Sequence, residues 1–369
     1  MPKLFENTRL KDLELANRFI RSATWEGLAD ENGGCTLDLV DRMVELARGA
    51  VGLIITGHTY VHPAGQATPY QLGVDKDDLI DGLSEMTEAV HREGGRIMMQ
   101  LAHGGLKAEP QLTNTEPIGP STGKGLIKSP GKEMTPDNIQ QVVASFSQAA
   151  HRAKAAGFDG VQIHAAHGYL LSQFLSPAIN QRTDEYGGSV ENRARIILEV
   201  LRSIRRVVGR NYPILIKINS EDFLENGLSF TDFLRVAVLL VEAGVDAIEV
   251  SGGTFFSGHL IPSRKEITFD RDQAYFRKAS RALKKTVGLP VILVGGIRSY
   301  LLTERLVDEG VMDYIAMCRP FIREPMLIKR WESGDLRKAT CISCNGCFGP
   351  ARSGRGILCV QDIQKTSDR

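Results

Sequence analysis

Three residues within one short stretch carry groups suited to acid–base chemistry: His164, His167 and Tyr169. Two neutral imidazoles can donate hydrogen bonds to an oxygen that gains negative charge. A tyrosine hydroxyl can supply a proton in the same step. A single histidine at a strand end would read as a structural residue, but two with a tyrosine read as a site. Zinc would need a third ligand and an open position, and His103 is the nearby candidate. Gln100 and Lys217 interrupt otherwise apolar stretches. Facing a cavity, an amide both donates and accepts and an ammonium stabilises a negative ring atom, so the pair suits a planar heterocycle. A buried hydrogen-bonded pair, or a lysine reaching the rim, is the alternative. Gly295-Gly296 lets a phosphate approach backbone N–H groups, and Arg319 offers a bidentate fork. Two tight turns with a surface arginine would look the same.

The six cysteines are unevenly spread, and four of them, Cys341, Cys344, Cys347 and Cys359, form C-x2-C-x2-C-x11-C. Four thiolates at this spacing suit a [4Fe–4S] cluster and also zinc. Reduced thiols without metal are the third reading.

These residues need a frame to bring them together. A helix ending in Gly, a short turn with an acid and an apolar strand recur at Ala156–Ile163, Ala243–Val250 and Glu309–Ala316. Glycine takes the left-handed position that closes a helix. A strand apolar at successive residues is buried on both faces of a parallel sheet. Eight such strands are expected, near Arg18–Ala23, Gly52–Gly57, Arg96–Leu101, Gly160–His164, Ile214–Asn219, Ala247–Ser251, Val291–Gly295 and Tyr314–Cys318. Helices alternate with them: one after the cap Thr135-Pro136 to about Ala156, one over Val190–Val208, one from Ser229 to Gly244. The pattern predicts an α/β chain, a (β/α)8 TIM barrel, with its site at the C-terminal strand ends. The doubly wound rival lacks its G-x-G-x-x-G signal. The expected division is a barrel over 1–335, with an inserted loop near 103–134, and a Cys-rich segment over 336–369 packed on it.

Composition bounds the partners. Lys+Arg number 45 against 44 Asp+Glu, so the formal charge of +1 does not indicate a basic surface for nucleic acid. No apolar run has the length of a membrane helix. The start at Met1-Pro2-Lys3-Leu4 shows no signal-peptide apolar region. The expectation is a cytoplasmic protein acting on a small molecule, with reduced thiols or a metal site.

The longest motif is Gly160-Val161-Gln162-Ile163-His164-Ala165-Ala166-His167-Gly168-Tyr169, continuing through Ser172-Gln173-Phe174-Leu175-Ser176-Pro177, Asn180-Gln181-Arg182-Thr183-Asp184-Glu185-Tyr186-Gly187-Gly188 and Glu191-Asn192-Arg193. With Ala16-Asn17-Arg18, Gln100-Leu101-Ala102-His103-Gly104-Gly105 and Arg319-Pro320, it resembles the old yellow enzyme family of FMN-dependent ene-reductases, from about Leu4 to Pro325. The resemblance implies FMN across the barrel mouth, with its phosphate at Gly295, Gly296, Cys318 and Arg319. Gln100 would pair with the pyrimidine edge and Lys217 would stand near flavin N1 and O2. Ala23, Thr24 and Trp25 would lie under the ring, and Gly57 beside it. Trp25 departs from the Thr, Cys or His of relatives. His164 and His167 would hold the substrate oxygen. NAD(P)H would supply hydride through flavin N5 to the β-carbon of an α,β-unsaturated substrate, and Tyr169 would protonate the α-carbon. The cysteine run resembles the iron–sulfur segment of the dienoyl-CoA reductase and trimethylamine dehydrogenase branch, with a second gap of two residues instead of three. That branch implies the second reading: a flavin and iron–sulfur reductase or demethylating dehydrogenase exchanging electrons with a separate protein. A homo-oligomer is left open.

Overall fold

The computed structural model describes residues 2–126 and 130–362. Met1, three residues of the inserted loop and the last seven of the Cys-rich segment lie outside the described residues.

The eight expected strands are all present. We number them β1 (Phe19–Arg21), β2 (Leu53–Tyr60), β3 (Ile97–Ala102), β4 (Val161–Ala165), β5 (Ile214–Asn219), β6 (Ala247–Ser251), β7 (Val291–Leu293) and β8 (Tyr314–Met317). They close into a barrel in sequence order, and every neighbouring pair is parallel. A parallel pair needs a crossover, and helices supply it: α1 (Leu37–Arg48), α2 (Ile80–Arg92), α3 (Pro136–Ala155), α4 (Val190–Val208), α5 (Phe230–Glu242), α6 (Arg277–Thr286) and α7 (Tyr300–Asp308). The chain is therefore a (β/α)8 TIM barrel.

Local chemistry sets the helix ends. Thr135 caps α3 through a capping box with Asn138, and Ser189 and Ser229 accept from the third residue of α4 and α5. Each cap satisfies a backbone N–H that the helix leaves open. The outer core lies between strands and helices, with Phe146, Phe174, Phe233 and Trp331 fully buried. The inner core fills the bottom of the barrel: Ile20, Leu53, Ile55, Met98, Leu215 and Ile292 meet Leu10 and Leu15. Those two leucines come from the hairpin of Thr8–Leu10 and Leu13–Leu15. The bottom is thus plugged with apolar groups, and polar side chains collect at the other end. Among the described residues no helix is long and apolar enough to cross a membrane.

One irregularity matters for the site. The β2–β3 register shifts between Ile55 and His58. An extra residue in one strand of a pair turns the following side chain to a new direction.

Candidate active site

The strand ends build a buried polar chain across the mouth. Gln100 Nε2 of β3 donates to Gln162 Oε1 of β4 at 2.7 Å, and Gln162 Nε2 donates to Glu249 Oε2 of β6 at 2.8 Å. Ser22 Oγ donates to Glu249 Oε1 at 2.6 Å, and Lys217 Nζ of β5 donates to Ser22 Oγ at 2.8 Å. Lys217 and Glu249 also form an ion pair at 3.0 Å, with side chains 4% and 0% exposed. Removing one partner of such a pair leaves an uncompensated buried charge, a loss of about 3–5 kcal/mol. Parallel register makes the chain possible, because Gln100 pairs with Gln162, and Lys217 with both His164 and Glu249. An ammonium has three hydrogens and an amide nitrogen two. Lys217 and Gln100 therefore keep donors beyond these bonds.

The expected His164, His167 and Tyr169 are brought together. The two imidazole centroids lie 5.0 Å apart, edge to face, and the Tyr169 ring is 5.0 Å from His164. His164 Nδ1 is buried without a protein partner. His167 Nε2 lies 2.8 Å from Ser251 Oγ, and its backbone N–H donates to Asn219 Oδ1 at 3.1 Å. His167 has φ of 66° and Gly168 of 80°. A left-handed histidine followed by a left-handed glycine is a strained turn, of the kind that persists where surrounding bonds hold it. Burial pushes both imidazoles well below the usual histidine range, and neighbouring Lys217 adds to this. Both rings are therefore neutral. Burial likewise raises the Tyr169 phenol well above its ordinary value, so it keeps its proton.

A further ring joins them. The His58 centroid is 5.2 Å from that of Tyr169, nearly parallel to it. His58 Nε2 is buried without a partner, and burial lowers its pKa to about 4. Gly57, expected to end this strand, lies within it and packs on the Thr24–Glu26 stretch. Its N–H donates to Glu26 Oε1 at 2.9 Å, and a Cβ there would lie 2.9 Å from Thr24 O. The Thr24–Glu26 stretch is itself held by Arg21, which donates to Thr24 O at 3.0 Å and pairs with Glu26 at 2.8 Å. Ala23 packs on the inner core. Trp25 packs on Cys347, Ala351 and Ile357, with its Nε1 unpartnered.

Gly295 and Gly296 have φ of 133° and 68°, and a Cβ on either would come within 2.9 Å of the Tyr275 ring. Only glycine fits, so the loop offers bare backbone. Arg319, which follows the half-buried Cys318, is 5% exposed. Its Nη1 donates to Arg264 O at 2.8 Å, Asn345 Oδ1 at 2.7 Å and Ser343 O at 3.3 Å. One nitrogen of its fork is thus turned toward Arg264 and the segment that carries the cysteines. That segment also contributes Ile357 N–H to Glu26 O at 2.7 Å. Cys341, Cys344, Cys347 and Cys359 line one cavity together with Arg319 and Asn345. All six cysteines are free thiols, and burial pushes Cys347 up to about 12. Among the described residues no three His, Cys, Asp or Glu side chains converge to hold a single metal ion.

Sequence reasoning missed Ser22, His58, Gln162, Glu249 and Ser251. Gln162 and Glu249 carried the signal that singled out Gln100 and Lys217, a polar residue inside an apolar strand. His58 had no such signal, because its direction depends on the bulge.

The whole motif from Gly160 to Arg193 now has a place. Asn180 Nδ2 donates to Phe174 O and Tyr186 O, each at 2.8 Å. Arg193 reaches Leu175 O at 3.0 Å, Gly188 O at 2.7 Å and Asp232 at 2.7 Å. Arg182 holds Pro120 O and Met134 O of the inserted loop at 3.1 and 2.7 Å. Most of the motif fixes the walls of the site, and Gln162, His164, His167 and Tyr169 near its start contribute to the mouth.

Comparison with known proteins bears on the family and the fold. The chain is 38% identical to an NADH oxidase of Thermoanaerobacter brockii over 357 residues, 94% of this chain and 54% of that protein. Its structure is similar to that of 2-naphthoyl-CoA reductase in complex with 2-naphthoyl-CoA, with a TM-score of 0.90 at 28% identity, covering 97% of this chain and 56% of that one. It is also similar to an old yellow enzyme homologue from Zymomonas mobilis, with a TM-score of 0.77 at 26% identity, covering 93% and 96%. The chain spans about half the length of the first two. A family model matches residues 3–337, and the chain belongs to the NADH:flavin oxidoreductase / NADH oxidase family.

Proposed function

We propose that the chain is an FMN-dependent reductase of activated C=C bonds that uses NAD(P)H, with Tyr169 as proton donor. The observation that carries the reading is the joint presence, at one barrel mouth, of a buried polar chain and two neutral imidazoles beside a protonated phenol. The donor set fits FMN. Gln100 and Lys217 would hold the pyrimidine side of its ring, and the Gly295-Gly296 backbone its phosphate. When bound there, FMN would supply the hydride-transfer chemistry between NAD(P)H and the substrate. The unpartnered His164 Nδ1 meets the carbonyl oxygen of an α,β-unsaturated substrate, with His167 beside it. Both rings are neutral donors, so they polarise the carbonyl without giving up a full proton, and the β-carbon becomes electrophilic. The Tyr169 O–H then protonates the α-carbon. Burial of all three groups keeps water from competing. Anaerobic stopped-flow mixing tests this: flavin in the loaded chain should be reduced by NADH or NADPH and reoxidised by enones. A chain that binds no FMN would defeat the reading.

A second reading is supported by the cysteines. Four thiols that line one cavity supply the ligand type of a [4Fe–4S] cluster. With such a cluster the chain would exchange electrons with a separate protein. Iron and acid-labile sulfide in anaerobically purified protein test this, and their absence would remove it.

A further inference from the structure

His58 is 8% exposed, and its Nε2 finds no partner in the protein. Buried polar atoms are nearly always paired, and one that is not calls for an explanation. Packing alone does not provide it, since a leucine of similar volume would cover the Tyr169 ring without burying a polar group. The direction of the side chain is also built in. The register shift between Ile55 and His58 sets the residue opposite Gln100. Gln71 Nε2 donates to His58 O at 2.8 Å and fixes its backbone. The ring thus lies against the proton donor, on a strand that contributes neither His164 nor His167.

We propose that His58 is a specificity-determining residue that contacts the substrate, its Nε2 meeting a polar substituent carried on the reacting double bond. The assignment rests on the reading of the mouth as an alkene-reducing site. His164 takes the activating oxygen, so the group that His58 meets is a second one, such as a hydroxyl. A neutral imidazole nitrogen pairs with a hydroxyl whichever tautomer is present, because a hydroxyl both donates and accepts. A site built to hydrogen-bond a substituent rejects the analogue lacking it far more strongly than an apolar pocket rejects an added hydroxyl.

The test uses the full FMN-loaded chain and matched substrates: 2- and 3-hydroxymethyl-cyclohexenone against their ethyl analogues. For at least one position the wild type should favour the hydroxymethyl compound by roughly tenfold or more in kcat/KM. His58→Leu should erase or reverse the preference, chiefly through KM, and His58→Gln should keep part of it. The absorption spectrum of the bound flavin should be the same in all three. A wild-type ratio near one at both positions overturns the proposal, even if the leucine variant fails to fold. So does a leucine variant that keeps the ratio, and so does one that shifts the flavin spectrum without changing the ratio, which would mark a cofactor contact. A wild type that binds no FMN instead defeats the underlying reading, and the proposal with it.

Discussion

Tyr169 keeps its proton because its surroundings offer no water to stabilise a phenolate, and the rings of His58, His164 and Phe255 are packed around it. That environment suits the proposed role as an acid. Tyr169→Phe should slow reoxidation of the flavin by an enone by about 10²–10⁴-fold and leave its reduction by NAD(P)H nearly unchanged. Stopped-flow traces of the two half-reactions separate these effects, and an equal loss in both would remove the role. The buried histidines also predict a pH dependence of stability. His58 falls to about 4 and His103 to about 3 by burial, below the ordinary 6.5. The unfolded chain then binds more protons than the folded one in the acid range. Stability from these groups is full above about pH 6.5 and is lost as pH falls toward 4 and 3. His58 alone accounts for about 3 kcal/mol over that window, at about 1.4 kcal/mol per pH unit. Urea unfolding at pH 7 and pH 4.5 should show the loss, and His58→Leu should make it smaller. At this scale the cluster of His164, His167 and Tyr169 was legible because the residue types sit close in sequence. His58 was not, because a bulge is a property of strand pairing and leaves no mark on composition or spacing.

The strands were legible as elements. An apolar run after a glycine-closed helix has few alternatives in a chain of this length, and all eight expected strands are present within a few residues. The turn that ends β1 was less so. Its residues Ala23, Thr24 and Trp25 were expected under a flavin; that Trp25 also packs on the cysteine segment and Gly57 on the turn was not expected. Contacts between segments some 320 residues apart have no local signal. Gly57→Ala would drive a methyl into the Glu26 carboxylate and Thr24 O, and should cost about 1–3 kcal/mol by overpacking. Urea unfolding measures it, and an unchanged midpoint would mean that the Arg21–Glu26 pair yields easily. Arg319 ties β8 to the cysteine run through Ser343 O and Asn345 Oδ1. Arg319→Gln should release that run, seen as faster proteolysis between Cys341 and Cys347 in otherwise folded protein. Cleavage at the wild-type rate would show that the other ties of the segment, such as Arg298 Nη1 to Cys341 O and Asn345 Nδ2 to Ser263 O, hold it without Arg319.

The barrel divides its ends by chemistry. The strand N-termini are sealed by leucines from a hairpin, and the C-termini carry the polar chain, the imidazoles and the phenol. The sealed end carries stability, so the other is free to vary its loops. The mouth and the cysteine cavity adjoin, since Arg319 lines that cavity and lies two residues past the end of β8. The central claim is that these groups serve alkene reduction through FMN. Double-mixing stopped flow measures it most directly: the FMN-loaded chain is reduced with NADPH or NADH under anaerobic conditions and then mixed with 2-cyclohexenone. The account predicts rapid, complete reoxidation with one cyclohexanone formed per flavin, and slow reoxidation in Tyr169→Phe. Reduced flavin that persists with the enone, and is reoxidised only by oxygen or an electron-transfer protein, would contradict it.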